Sequence, residues 1–101
     1  EVKGIFVSAS NNNEVYNNTV SNSGEGIYVK AEAANNKIYG NTITNSTSNG
    51  ILVNTGAFDN TFSSNTIVNA AKFGINVAPD SNNNVFENNK LINSKVAGQA
   101  E

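Results

Sequence analysis

Residues 35–53 read NNKIYGNTITNSTSNGILV, and two strings inside that stretch return along the chain at one period. Gly50-Ile51-Leu52-Val53 has counterparts in Gly4-Ile5-Phe6-Val7, Gly26-Ile27-Tyr28-Val29 and Gly74-Ile75-Asn76-Val77, at steps of 22, 24 and 24 residues. Asn36-Lys37-Ile38-Tyr39-Gly40-Asn41-Thr42-Ile43 has counterparts opening at Asn13, Asn60 and Asn84, at steps of 23, 24 and 24. Two independent anchors that share a spacing define a four-unit repeat protein. Within Gly-Ile-x-Val the apolar residues fall at i and i+2, the period of a strand with one buried face. In the second string Val15 and Val20 stand five apart around Asn17-Asn18. That break of parity places two short strands on either side of a bend. The density of Gly and Asn opposes helix throughout.

Each unit therefore reads as three short strands joined by turns. It cannot bury its apolar face alone, and successive units stacked in register can. The expected fold is all-β: a single-stranded parallel β-helix, or β-solenoid, of about four coils of 22–24 residues with Asn ladders at the turns, right-handed by the general rule for parallel crossovers and not by the repeat itself. Residues 1–101 form one domain, with coils starting near Gly4, Gly26, Gly50 and Gly74 and a degenerate terminal coil from Gly98.

Register turns the repeat into contacts about 4.8 Å apart, the spacing of paired strands. Four interior columns are apolar in every member: Ile5/Ile27/Ile51/Ile75, Val7/Val29/Val53/Val77, Val15/Ile38/Phe62/Phe86 and Val20/Ile43/Ile67/Leu91. Three columns are asparagine throughout: Asn13/Asn36/Asn60/Asn84, Asn18/Asn41/Asn65/Asn89 and Asn22/Asn45/Asn69/Asn93. Stacked carboxamides carry both donors and acceptors and so can bond along the axis in interior ladders. They also tolerate the left-handed backbone that tight bends demand. This accounts for 22 asparagines in 101 residues without any ligand. The same register sets Lys3 opposite Glu25 and Glu14 opposite Lys37, exposed pairs each worth roughly 0–1 kcal/mol.

Composition narrows the chemistry. The chain has no Cys, His, Trp, Met or Arg, so a thiol nucleophile, an imidazole base, a zinc finger and a bidentate guanidinium clamp are all excluded. A net charge of -2 argues against nucleic acid. No apolar run approaches the ~20 residues of a membrane span, and the residues from Glu1 onward carry no signal peptide.

The repeating pattern of residues 35–53 resembles the right-handed parallel β-helix repeats of carbohydrate-active proteins. These include NosD-like periplasmic proteins, alginate (mannuronan) C5-epimerases and the wider pectate-lyase-like superfamily. The likeness runs from about Gly4 to Asn93, and it implies a fold rather than an activity. The resemblance implies an extracellular or periplasmic location and acidic polysaccharide as partner. The catalytic motifs of those enzymes do not carry over. Ala78-Pro79-Asp80-Ser81 lacks the His and Glu of an Asp-Pro-His-Glu motif and reads as a turn. Asp59 shares the column of Asn12, Asn35 and Asn83 and reads as an Asn substitute. Glu14, Glu25, Glu32 and Glu87 fall in different columns or well-separated coils, not as the close carboxylate pair that glycosidic chemistry needs. No catalytic, metal or cofactor residues are assigned.

Binding candidates lie on outward positions. Phe6 and Tyr28 on the glycine strand, with Tyr16 and Tyr39 on the next face, form aromatic rows that can meet the apolar faces of sugar rings. Thr19/Thr42/Thr66 with Ser21/Thr44 form a flat Thr-rich face, broken by Lys90 and by Val68 and Ile92, and read as ordinary strand residues. Two Asn-x-Thr strings, at Asn17 and Asn45, read as coincidence, Asn45 being expected inside a ladder.

The expected function is a non-catalytic scaffold or carbohydrate-contacting module of a secreted polysaccharide-associated protein. Two alternatives stand beside it. One is a C-terminal β-helix fragment of an alginate epimerase or polysaccharide lyase with its catalytic residues elsewhere. The other is a purely structural or engineered self-assembling solenoid. Four coils bury a small core, so either adjoining coils or end-to-end self-association is expected.

Overall fold

The computed structural model describes residues 3–97. Coil 1 holds β1 (Lys3–Ser8), β2 (Glu14–Tyr16) and β3 (Thr19–Ser21), and coil 2 holds β4 (Glu25–Lys30), β5 (Lys37–Tyr39) and β6 (Thr42–Thr44). Coil 3 holds β7 (Ile51–Val53), β8 (Thr61–Ser63) and β9 (Thr66–Val68). Coil 4 holds β10 (Ile75–Val77), β11 (Val85–Glu87) and β12 (Lys90–Ile92), and β13 (Val96–Ala97) follows. Equivalent strands pair in parallel into three sheets, β1-β4-β7-β10-β13, β2-β5-β8-β11 and β3-β6-β9-β12. The result is a β-solenoid with three strands per coil.

The register follows the repeat. Ile5 pairs with Ile27, Ile27 with Ile51 and Ile51 with Ile75, while Val15 pairs with Ile38 and Ile38 with Phe62. All sixteen residues of the four apolar columns enter one core, with Ile5, Val15, Phe86 and Leu91 of the outer coils partly buried against it. The Phe62 and Phe86 rings stack with centroids 4.7 Å apart and planes 5° apart. Gly98 lies outside the described residues. The strand after coil 4 places Val96 opposite Ile75, so the chain returns to the first sheet before reaching that glycine.

The bends show how few conformations the coil uses. Among the described residues every left-handed residue except Ala31 falls in one of four columns. These are Ala9/Glu32/Gly56/Asp80, Asn12/Asn35/Asp59/Asn83, Asn17/Gly40/Ser64/Asn88 and Asn22/Asn45/Asn69/Asn93. Asn and Asp dominate because their short polar side chains reduce the strain of that region. Ala31 is the residue by which coil 2 exceeds coil 1 at this bend: Ser8 pairs with Lys30, whereas Asn11 bridges to Ala34.

Glycines mark where coils come closest. A Cβ on Gly50 would lie 2.5 Å from Ile67 Cγ2 and 2.6 Å from the carbonyl oxygen of Gly74. The glycine column of the repeat is therefore a packing requirement on the strand side of the third bend.

Candidate functional site

Two of the asparagine columns form continuous ladders. Asn36 donates from its backbone N and Nδ2 to Asn60 Oδ1 at 2.9 and 3.0 Å, and Asn13 does the same to Asn36 Oδ1 at 2.8 and 3.0 Å. The second hydrogen on Nδ2 reaches back to a carbonyl of the preceding coil, as from Asn60 to Ala33 at 3.0 Å. The column Asn18/Asn41/Asn65/Asn89 repeats the arrangement at the next bend. Asn36, Asn41, Asn60 and Asn65 are fully buried, and the ladders supply the backbone bonds that the bends cannot make for themselves.

The third column requires a correction. Asn22, Asn45, Asn69 and Asn93 are exposed and left-handed, not interior. At each bend the left-handed residue points out and the next residue points in. After the columns Asn12/Asn35/Asp59/Asn83 and Asn17/Gly40/Ser64/Asn88 the inner residue is the ladder Asn. After Asn22/Asn45/Asn69/Asn93 it is Ser23, Ser46, Ala70 or Ser94. Among the described residues two solvent-exposed side-chain bonds link this column, Asn69 Nδ2 to Asn45 Oδ1 at 3.4 Å and Asn93 Nδ2 to Asn69 Oδ1 at 3.0 Å. Asn17 and Asn45 of the two Asn-x-Thr strings thus both face solvent, and burial does not set Asn45 aside.

The aromatic candidates separate into two pairs. Tyr16 and Tyr39 lie on the outer face of β2 and β5 with centroids 5.1 Å apart and planes 4° apart, stacked along the axis so that their edges face outward. Tyr39 donates its hydroxyl proton to Glu14 Oε1 at 2.7 Å. That bond, with desolvation and the negative charge of Glu14, holds the Tyr39 phenol above its ordinary value. Phe6 and Tyr28 lie on the outer face of β1 and β4, 5.3 Å apart and tilted by 31°, with Phe6 50% exposed. Lys3 Nζ stands 5.2 Å from the Tyr28 ring centroid, and Lys30 Nζ stands 5.7 Å from each of the two rings. Asn54 donates to the Tyr28 hydroxyl at 2.6 Å and fixes its direction.

The two charge pairs expected from register meet in the ladder and then part. Glu25 is opposite Lys3 but only 3% exposed, and its Oε2 accepts from the backbone N and Nδ2 of Asn49 at 3.2 and 2.8 Å. Glu14 is opposite Lys37 but takes the Tyr39 hydroxyl. Carboxylates here prefer fixed donors nearby to a long, solvated ammonium.

These axial columns and parallel coils are the setting in which the chain meets known proteins. Residues 2–100 match the family described as right handed beta helix region. The chain belongs to this family. Neither a curated protein nor a solved structure matches it.

One surface of this β-helix was not legible as a site. A shallow groove of about 200 Å³ is lined by Asn12, Asn13, Glu14, Asn35 and Lys37, and it adjoins a second of about 360 Å³ that reaches Asp59 and Thr61. Its lining comes from the left-handed column and its neighbours, which read in the sequence only as turn formers. Asp59 has φ 58°, matching Asn12, Asn35 and Asn83, so its column is set by backbone geometry. Among the described residues no helix is long and apolar enough to cross a membrane.

Proposed function

We propose that this β-helix is a non-catalytic scaffold that contacts acidic polysaccharide through the outer face of β1 and β4, as a module of a secreted, polysaccharide-associated protein. The observation that carries the reading is the Lys3–Lys30 pair set over Phe6 and Tyr28. No ion pair occupies either lysine among the described residues. A uronate sugar offers both halves of a match: its carboxylate meets an ammonium, and its apolar C–H face meets the exposed Phe6 ring. The patch is open and small, so a short oligomer binds with a Kd of about 1 mM, roughly −4 kcal/mol. A polymer gains from repeated engagement.

The test is a two-dimensional NMR titration with oligogalacturonate and with an uncharged oligosaccharide of equal length. The acidic ligand is expected to move resonances of Phe6, Tyr28 and Lys30, to lose affinity as salt is raised, and to lose most of it in Lys30→Ala. Equal shifts from the uncharged ligand, or shifts confined to other faces, would remove the reading. A purely structural solenoid is the second reading. It is favoured by the Tyr16–Tyr39 stack, whose ring faces are turned along the axis and whose hydroxyl is partly committed to Glu14.

A further inference from the structure

Asn54, which follows β7, orients a hydroxyl on the neighbouring coil. Its backbone is held from both sides: Asn54 N donates to Val29 O at 2.8 Å, and Asn54 O accepts from Ser81 Oγ at 2.7 Å and from Ala57 N at 3.3 Å. Its side chain joins two further groups. Oδ1 accepts from the backbone N of Thr55 at 2.8 Å, and Nδ2 donates to the Tyr28 hydroxyl oxygen at 2.6 Å. The Thr55 N–H is a donor that only the amide oxygen can receive, so turning the carboxamide over would set donor against donor. The atom facing Tyr28 is therefore the nitrogen, which donates and does not accept.

A phenol oxygen that accepts from Asn54 sends its own proton elsewhere, and that proton finds no acceptor among the described residues. Lys30 projects from the same face of β4 as Tyr28, two residues on, with its Nζ 5.7 Å from the Tyr28 ring centroid. Lys30 and Asn54 directly follow the paired Val29 and Val53, so they are neighbours in register on adjacent coils. The residues around Lys30 do not supply a fixed acceptor. Glu32, at the left-handed bend beyond it, forms no ion pair with it among the described residues. Ser8, paired with Lys30 across the ladder, carries a hydroxyl that can donate or accept. The Asn54 oxygen is occupied by Thr55. An ammonium and a directed hydroxyl proton remain, two donors without an acceptor. Tyr28, Lys30, Asn54 and Thr55 all belong to coils 2 and 3, which have a coil on either side.

We propose that Tyr28 and Lys30 form a carboxylate subsite, in which a uronate carboxylate accepts the Tyr28 hydroxyl proton and meets the Lys30 ammonium. Asn54 is the positioning residue that keeps the hydroxyl a donor. This rests on the polysaccharide reading above and narrows it to one point of contact. It also sets what is refused: an amino sugar brings a third donor to a place that has only donors, and a sugar whose carboxylate is reduced to an alcohol brings no charge to match the ammonium.

NMR titrations of the full chain test this with two ligands, oligogalacturonate and the same oligomer with its carboxylates reduced to primary alcohols. Tyr28→Phe keeps the ring and Lys30 and removes only the hydroxyl. It is expected to weaken oligogalacturonate about tenfold and to leave the weaker binding of the reduced oligomer unchanged. Asn54→Ala is expected to weaken oligogalacturonate about threefold. In the Tyr28→Phe background it costs nothing further, because Asn54 acts through the hydroxyl. Before any ligand is added, the side-chain amide protons of Asn54 shift in Tyr28→Phe toward the positions of a free carboxamide. Unaltered oligogalacturonate binding in Tyr28→Phe would overturn the subsite and leave the Lys30 reading of the face standing. An equal loss from Asn54→Ala in both backgrounds, or an unshifted Asn54 amide in Tyr28→Phe, would overturn the positioning role. Absence of oligogalacturonate binding to the unmodified chain would overturn the subsite and the polysaccharide reading together.

Discussion

Truncating a buried ladder residue measures what the amides contribute. Asn65 is fully buried, and its side chain takes part in four hydrogen bonds. Its Oδ1 accepts from the backbone N and Nδ2 of Asn41, both at 3.0 Å, and its Nδ2 donates to Ile38 O and Asn89 Oδ1, both at 3.1 Å. Asn65→Ala leaves two donors of the buried Asn41 and the Ile38 carbonyl without these partners. A buried polar group left unsatisfied costs about 1–3 kcal/mol, and partial entry of water at the small void reduces the sum, so the expected loss is about 3–6 kcal/mol. A domain of this size has about 5–15 kcal/mol in total, so the variant is marginal or unfolded at room temperature. Urea denaturation followed by circular dichroism reads the change, with Asn83→Gly as control. Asn83 is exposed and left-handed, a conformation glycine adopts freely, so the control stays within about 0.5 kcal/mol. A loss below about 1 kcal/mol in Asn65→Ala, at unchanged denaturant slope, would refute the claim that the ladders hold the bends together.

Other outcomes follow from single contacts. Gly50→Ala drives a methyl group into the Gly74 carbonyl and Ile67, and since backbone must shift, a loss of about 2–3 kcal/mol is expected in thermal melts; a change under about 0.5 kcal/mol would mean that the coils are less closely stacked there. Phe62→Ala removes the largest fully buried side chain and the ring that supports Phe86, at about 3–5 kcal/mol by chemical denaturation. Titrating the phenolate of Tyr39 should show it ionising above the ordinary range, and Glu14→Gln should return it toward that range. Because the folded-state value of Tyr39 is the raised one, its contribution to stability is complete below the ordinary phenol pKa and is lost as pH rises through the folded value. A phenol titration unaltered by Glu14→Gln would remove Glu14 as the cause.

Register, strand number and core were readable because each rests on four copies of the same choice. An apolar residue at one position of Val15/Ile38/Phe62/Phe86 means little, and the column means a buried face. Asn22/Asn45/Asn69/Asn93 looked equally regular and lies outside instead. Composition alone did not separate an Asn kept for its amide from an Asn kept for its tolerance of positive φ, since the side chain serves both needs. The neighbour separates them: a left-handed residue is followed by the inward one, so Asn12-Asn13 and Asn17-Asn18 each supply one of each kind, while Asn45-Ser46 supplies the outward Asn and an inward Ser. The groove along Asn12, Asn35 and Lys37 was hidden for the same reason, its residues being already explained as turns.

A repeat makes departures from itself informative. Stacking alone asks the same of every coil, so residues that differ from the rest of their column answer to something else. Glu25 stands between Lys3 and Asn49 and uses its carboxylate to fix Asn49 in the next coil, a structural use. Lys30 has no such use: it pairs with no acid among the described residues and faces two rings of the first two coils. The aromatic rows also stop there, giving way to Leu52 and Asn76 beyond Tyr28 and to Ser63 and Glu87 beyond Tyr39. Strand propensity acts alike on all coils and would spread aromatics along the whole row. The restriction of Phe6 and Tyr28 to coils 1 and 2, beside Lys30, is what ties the polysaccharide proposal to one end of the β1–β4 face.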